Sequence, residues 1–236
     1  MMKKIVVFVL LLNIYSGFSQ FRQSIFSKDP IVNLENWDKQ RVYWGFFLGF
    51  NTYDFKIDYK TPTEKEIQVQ TGPGFSVGIV GDLRLQEYFN LRFEPGLYYT
   101  QRNLTFPNFT EQKNALREVK STYLNFPLLL KYSALRTGNV RPFLEGGLSA
   151  NLNLSSNYSV KDDNQQQVFR MRQWNTNYEV GFGVDLYLEY FKFSPSIRGV
   201  FSLNDELIRD NDVNSPWTSN IQSMKSRGVF INFTFH

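Results

Sequence analysis

From Val42 to the C-terminal residue, apolar side chains recur at every second position in one segment after another, and no helical period is sustained. In VYWGFFLGF, Val42, Trp44, Phe46, Leu48 and Phe50 share one face, and Tyr43, Gly45, Phe47 and Gly49 the other. The same alternation runs through 75–85, 91–100, 123–132, 141–152, 178–187, 193–202 and 227–236. Each segment has the length and the aromatic and β-branched content of a strand. The pattern predicts about eight strands.

The connections alternate too. QEYFN, SALRTGN and the EYF corner are short, whereas 58–73, 103–118, 155–173 and 204–224 are longer, polar and rich in Asn, Asp, Gln and Ser. An even number of strands with short turns at one end and long loops at the other describes an outer-membrane barrel, its turns in the periplasm and its loops outside. The expected fold is all-β: an eight-stranded antiparallel transmembrane β-barrel over 41–236.

A soluble barrel with its apolar face inside would show the same alternation. Three features favour the membrane. The polar faces carry many small residues, among them Gly45, Gly49, Gly78, Gly96, Gly147, Gly181 and Gly183, as a tight interior requires. Their charges nearly cancel: Arg84, Arg92, Lys131, Arg141 and Arg198 stand against Asp82, Glu94, Glu145, Glu179 and Asp185. The chain also ends in a strand carrying Phe233 and Phe235, an aromatic terminus typical of outer-membrane barrels.

A charge facing lipid at mid-bilayer costs ~2–4 kcal/mol. The ten charged residues are therefore expected to form an interior network, with Trp44, Phe46, Leu48, Phe93, Leu128, Phe182, Phe233 and Phe235 facing outer-membrane lipid. The register stays open, since pairing Arg84 with Glu94 or Asp82 with Arg92 keeps the same faces. Pro95, Pro127, Pro142 and Pro195 each remove a ladder donor and are expected near strand ends or bulges.

Composition agrees. Aromatics make up 17% of the 236 residues while charged residues keep 20%, which suits apolar exposure at one residue in two rather than helical spans. The net charge of +4 includes Lys3 and Lys4 of the N-terminus. No Lys/Arg run supports nucleic-acid binding. With no cysteine, disulfides, thiolate metal sites and an acylated lipoprotein cysteine are excluded. MMKKIVVFVLLLNIYSGFSQ has a basic start, a short apolar core and a small-residue site before Gln20, so residues 1–19 are expected to be a cleaved signal peptide. Residues 20–40 would then be a periplasmic lead-in.

Little here points to chemistry. The single histidine, His236, is the last residue, which leaves a nucleophile without a base. Glu179 and Asp185 read better as partners of interior arginines than as an acid/base pair. GPGFSVG leads into a strand and does not match a phosphate loop. The acid-rich stretches at 162–164 and 204–212 lack the spacing of a calcium loop and read as solvated loop tips. Eight strands leave no water channel. No enzyme, cofactor, metal site or small-molecule substrate is expected.

YLNFPLLLKY followed by VRPFLEGGL resembles the signature of a broad family of outer-membrane β-barrels of Bacteroidota. A narrower resemblance spans residues 33–57 and 74–102, with SPWTSNI at 215–221: these are similar to the PorT-like barrels of the type IX secretion system. That resemblance implies a non-enzymatic membrane component needed to export proteins bearing a C-terminal sorting domain, and adhesins in gliding species. Other secretion components are the implied partners. A plugged barrel cannot conduct a folded cargo, so the expected role is assembly or accessory. The alternative is a general outer-membrane barrel that binds at the surface or stabilises the envelope through its loops.

Overall fold

A computed structural model describes residues 32–236. The segment read as a signal peptide and the first part of the lead-in lie outside the described residues. Ten antiparallel strands follow: β1 (Val42–Tyr59), β2 (Gln68–Thr71), β3 (Pro73–Arg84), β4 (Phe89–Phe93), β5 (Gly96–Thr105), β6 (Leu116–Ser133), β7 (Val140–Asn153), β8 (Trp174–Tyr187), β9 (Lys192–Ser202) and β10 (Ile221–Phe235). Only Gly72 separates β2 from β3, and only Glu94 and Pro95 separate β4 from β5. Each of these pairs makes a single stave, and eight staves form the ring. It closes where β3 meets β1, from Val42↔Leu83 to Thr52↔Pro73.

The prolines puncture the ladder without shifting it. Phe93 pairs with Leu128 and Gly96 with Asn125, so the register with β6 is the same on both sides of Pro95, while Pro127 lies across from Glu94, whose N–H its carbonyl accepts at 3.3 Å. At Pro195 the β8–β9 ladder skips from Gly183↔Ser196 to Leu186↔Phe193, again in constant register. Pro95 lies in the break between β4 and β5, and Pro142 and Pro195 are the third and fourth residues of β7 and β9; only Pro127 sits well inside a strand. A bulge is the remaining expectation at Pro127, but its ladder with β7 runs through without a shift; a missing N–H costs one rung and leaves the faces in phase, so none is needed.

The alternation turns large apolar groups outward. Trp44 is 71% exposed and Phe182 58%, whereas Phe47, Arg92 and Phe230 are buried. On β1 the outward face is apolar from Val42 to Phe50 and then becomes Thr52, Asp54, Lys56 and Asp58. That belt of nine residues is what a tilted strand needs to cross a bilayer. The upper parts of β1, β6 and β10 therefore stand above it, on the side of the long loops. Asp54 and Arg227 pair across β1 and β10 at 2.6 Å just beyond the belt.

Interior space is used closely where Gly78 and Gly96 face each other across β3 and β5. A Cβ on Gly78 would come within 2.5 Å of the Phe47 ring and 2.4 Å of the Pro95 carbonyl. Gly146 has room, its nearest neighbour being the Glu179 carbonyl at 3.5 Å. Gly78→Leu is expected to lower stability by ~3 kcal/mol or more through overpacking, and Gly146→Ala to leave it within about 0.5 kcal/mol. Urea titration of the refolded barrel in micelles, read by heat-modifiable gel mobility, separates the two.

Candidate functional site

The lumen is the part of the molecule where chemistry-bearing groups converge. In the membrane-level half, Arg92 on β4 and Arg198 on β9 bind four carboxylates from four different places in the ring. Arg92 meets Asp82 of β3 at 2.8 Å, Glu94 at 3.2 Å and Glu145 of β7 at 3.4 Å. Arg198 meets Glu94 at 2.6 Å, Glu145 at 2.9 Å and Glu179 of β8 at 3.1 Å. Glu94 and Glu145 are shared by both guanidiniums. The planar fork of arginine, with five donors, makes this bridging possible. Register places the first pair, because Asp82 lies directly opposite Arg92.

Nearer the short turns, Lys131 of β6 holds Asp185 of β8 at 2.7 Å, and Ser194 donates to the same carboxylate at 2.6 Å. The Lys131 ammonium also sits 3.9 Å from the centre of the Phe143 ring. His236 approaches Asp82 at 3.6 Å and is buried.

Arg84 and Arg141 have inward parity but lie outside this cluster, at the mouth. Arg84 donates to the Lys39 carbonyl at 3.4 Å. Arg141 donates to the Glu87 carbonyl at 2.6 Å and meets Asp38 at 3.5 Å. Asp38 also accepts the Tyr187 hydroxyl at 2.7 Å and lies 3.6 Å from Arg136. Arg136 in turn donates to the Asn33 and Leu34 carbonyls and stacks 3.6 Å over the Tyr187 ring. Residues 33–41 are thereby strapped across the short-turn mouth as a lid.

Above the ionic layer comes an aromatic one. Tyr53, Tyr98, Tyr123 and Phe230 pack with ring centroids 5.0–5.5 Å apart. Arg102 roofs it, donating to the Tyr123 hydroxyl at 2.6 Å and to Ser226 at 2.8 Å, with its guanidinium 3.8 Å over Phe55. Ser226 in turn donates to Glu206 at 2.9 Å. A third layer, between the tall strands and the long loops, is apolar. Phe55, Leu104, Phe106, Val119, Phe169, Met171, Leu207, Trp217, Ile221 and Met224 are its buried members, and Trp217 stacks on Phe109 at 4.8 Å.

The outward-facing candidates lie as their parity places them. Trp44, Phe46, Leu48, Phe93, Leu128 and Phe182 are exposed. Phe233 and Phe235 are half-buried, because each stacks on the outer wall, Phe233 against Phe193 and Phe235 against Phe46.

The acid-rich stretches are not the solvated loop tips expected: Asp163, Asn164, Glu206 and Asp210 are buried and bonded to loop backbone and side chains. Asp163 caps a short turn by accepting the Gln165 and Asn211 N–H groups, each at 3.0 Å. Asp210 accepts from Asn164 at 2.8 Å and from the Ser215 hydroxyl. Among the described residues no group of three or more His, Asp or Glu is arranged to hold a metal ion. Sequence reasoning missed Arg102, Lys192 (buried at the start of β9, its ammonium 5.0 Å from the centre of the Tyr43 ring), Glu206 and Asp38. The first two lie on the inward parity of β5 and β9, so alternation could have found them; the last two lie in irregular segments, where no parity exists.

The family model described as "Outer membrane protein beta-barrel domain" matches residues 18–207. The chain belongs to that family. No curated protein matches it. Among solved structures, this outer-membrane barrel is similar to the outer membrane protein OprG from Pseudomonas aeruginosa, at 14% identity and a TM-score of 0.46, covering 83% of this chain and 96% of that one. It is also similar to Neisserial surface protein A, at 10% identity and a TM-score of 0.44, covering 83% and 98%. For the outer membrane protein AlkL the figures are 12% identity, a TM-score of 0.44, and 89% and 92%.

Removing one guanidinium would leave carboxylates buried without a counter-charge. Arg198→Met is expected to destabilise the barrel by ~3–5 kcal/mol, and the triple change Arg198→Met, Glu94→Gln, Glu145→Gln to recover part of that loss; urea midpoints in micelles measure both. For the lid, Asp38→Ala removes two ion pairs and one hydroxyl bond. Amide exchange in Trp37–Gln40 should then speed up by about tenfold, with exchange in β7 and β8 unchanged.

Proposed function

We propose that this outer-membrane barrel is a non-conducting, non-catalytic component of the type IX secretion system, with an assembly or accessory role in exporting sorting-domain cargo and, in gliding species, surface adhesins. Support comes from the similarity of residues 33–57, 74–102 and 215–221 to the PorT-like barrels. The observation that carries the accessory role is the filling of the lumen from end to end. A cargo path through this ring would have to break the Arg92–Arg198 cluster and both end layers, and every buried ion pair broken on the way leaves a charge uncompensated. The contribution to export is therefore made by surfaces: the lid at 33–41, the short turns and the long loops.

On this reading residues 1–19 are removed on passage to the periplasm and 20–40 form the periplasmic segment. A second reading, surface binding or envelope stabilisation through the loops, is favoured by the loop layer around Trp217, which is packed well enough to present a fixed outer surface.

Deletion of the gene in its host decides between them. Loss of sorting-domain cargo from the cell surface, with other secretion subunits co-purifying with the tagged wild-type barrel from solubilised outer membrane, is the expected result. Normal export in the deletion strain overturns it. Normal export accompanied by a detergent-sensitive envelope would favour the second reading.

A further inference from the structure

β6 is taller than its neighbour β7. It pairs with β5 from Leu116 to Asn125, but with β7 only from Tyr123 to Ser133. The last bond on that side runs from the Leu154 N–H to the Thr122 carbonyl at 2.9 Å. Even-numbered residues of β6 therefore direct their backbone groups toward β7, and odd-numbered ones toward β5. Above Thr122, β7 has ended. The N–H and C=O groups of Glu118 and Lys120 point past it, and no described residue bonds them. Leu116 closes the open stretch, since its N–H goes to the Gln112 carbonyl and its own carbonyl accepts from Arg117 at 2.8 Å.

This edge does not simply face water. It forms one wall of a cleft of about 210 Å³, whose other wall is the β7–β8 loop through Asn157, Val160 and Gln167. Val119, Phe169 and Met171 give it an apolar floor. Asn157 and Gln167 hold the loop wall through left-handed backbone, at φ 54° and 66°.

A second tall edge, on β10, is treated differently. There the Glu206 N–H bonds the Met224 carbonyl at 2.8 Å, and the Asp205 and Glu206 side chains accept the Met224 and Ser226 N–H groups at 2.9 and 3.0 Å. An unpaired edge invites another chain. The fold covers the β10 edge and leaves the β6 edge open beside a cleft.

We propose that the Glu118–Lys120 edge receives an extended polypeptide segment as an added antiparallel strand, on the side of the long loops. Charge fixes the sequence such a segment needs. Glu118 and Lys120 both point outward, 3.3 Å apart as an ion pair with Lys120 Nζ, so the added strand must answer a base and an acid on that face. In antiparallel order the residue opposite Lys120 comes first, which calls for an acidic residue, then an apolar one, then a basic one. The central apolar side chain lies beside Val119 and turns inward over Phe169 and Met171. Backbone rungs supply affinity and the alternate side chains supply selection. The proposal stands apart from the export role and needs only the barrel.

Two blocked twelve-residue peptides test it, one with a glutamate–valine–lysine core and one with lysine–valine–glutamate. Each is titrated into the isotope-labelled full barrel in micelles by NMR. The first should shift the Glu118 and Lys120 amides at millimolar concentration and bind several-fold more tightly than the second. The double change Glu118→Lys, Lys120→Glu should invert that order. Lys120→Pro, which removes an N–H that faces the open side, should weaken binding about tenfold while heat-modifiable mobility stays unchanged. Three outcomes overturn the proposal. One is no shift at these amides. Another is an equal response to both peptides that survives the charge swap. The third is shifts that grow with protein concentration in the absence of peptide, which would make the edge an interface between copies of this chain.

Discussion

Everything in this barrel depends on satisfying charge inside a closed wall whose outer face must be apolar. Once Trp44, Phe46, Leu128 and Phe182 point to lipid, strict alternation delivers their neighbours to the lumen, whatever those neighbours are. Here they include Asp82, Arg92, Glu94, Glu145, Glu179 and Arg198, all essentially inaccessible to solvent. Two arginines make that set tolerable, each touching three carboxylates. A buried ionic cluster adds little net stability over an apolar core of equal shape. Its effect is to tie β3, β4, β7, β8 and β9 to one another across the lumen, which the ladder between neighbours cannot do.

Along the barrel axis the polarity of the wall reverses. At membrane level β1 sends Phe46, Leu48 and Phe50 outward and Gly49 and Asn51 inward. Past Thr52 the same strand sends Asp54, Lys56 and Asp58 outward, while Tyr53 and Phe55 are buried within. β6 and β10 do likewise, with Val119 and Met224 inside, and Lys120 and Lys225 outside. The alternation keeps its period and changes sign because the solvent changes: lipid below, water above. One strand thus serves an inside-out protein and then an ordinary one, and the loop layer around Trp217 is the small aqueous core of the second part.

That reversal also explains what the sequence made legible. Period two identified the eight staves and which side chains share a face, since a one-residue slip would put every arginine into lipid. It did not give height. Arg84 and Arg141 have the same parity as Arg92 and Arg198, yet they sit at the mouth with Lys39, Glu87 and Asp38, because alternation carries no information about position along the axis. Nor could it anticipate Asp38 or Glu206, which act from irregular segments. The prolines show the complementary point: by sequence Pro127 is expected at a strand end or a bulge, but it lies inside β6 and the neighbouring rungs hold the register across it.

A lumen filled in three layers limits how the two ends of the molecule can influence each other. The lid is pinned through Asp38, Arg136 and Tyr187, and the loop layer through Arg102, Ser226 and Glu206. Between them lie the ionic cluster, whose carboxylates are shared by two arginines, and the aromatic layer, held by ring packing. A packed interior of this kind transmits rigid-body displacement but offers no second arrangement to switch into. The short-turn and long-loop ends are therefore independent surfaces on one rigid post, and whatever binds at one is sensed at the other only by being held at a fixed distance and orientation.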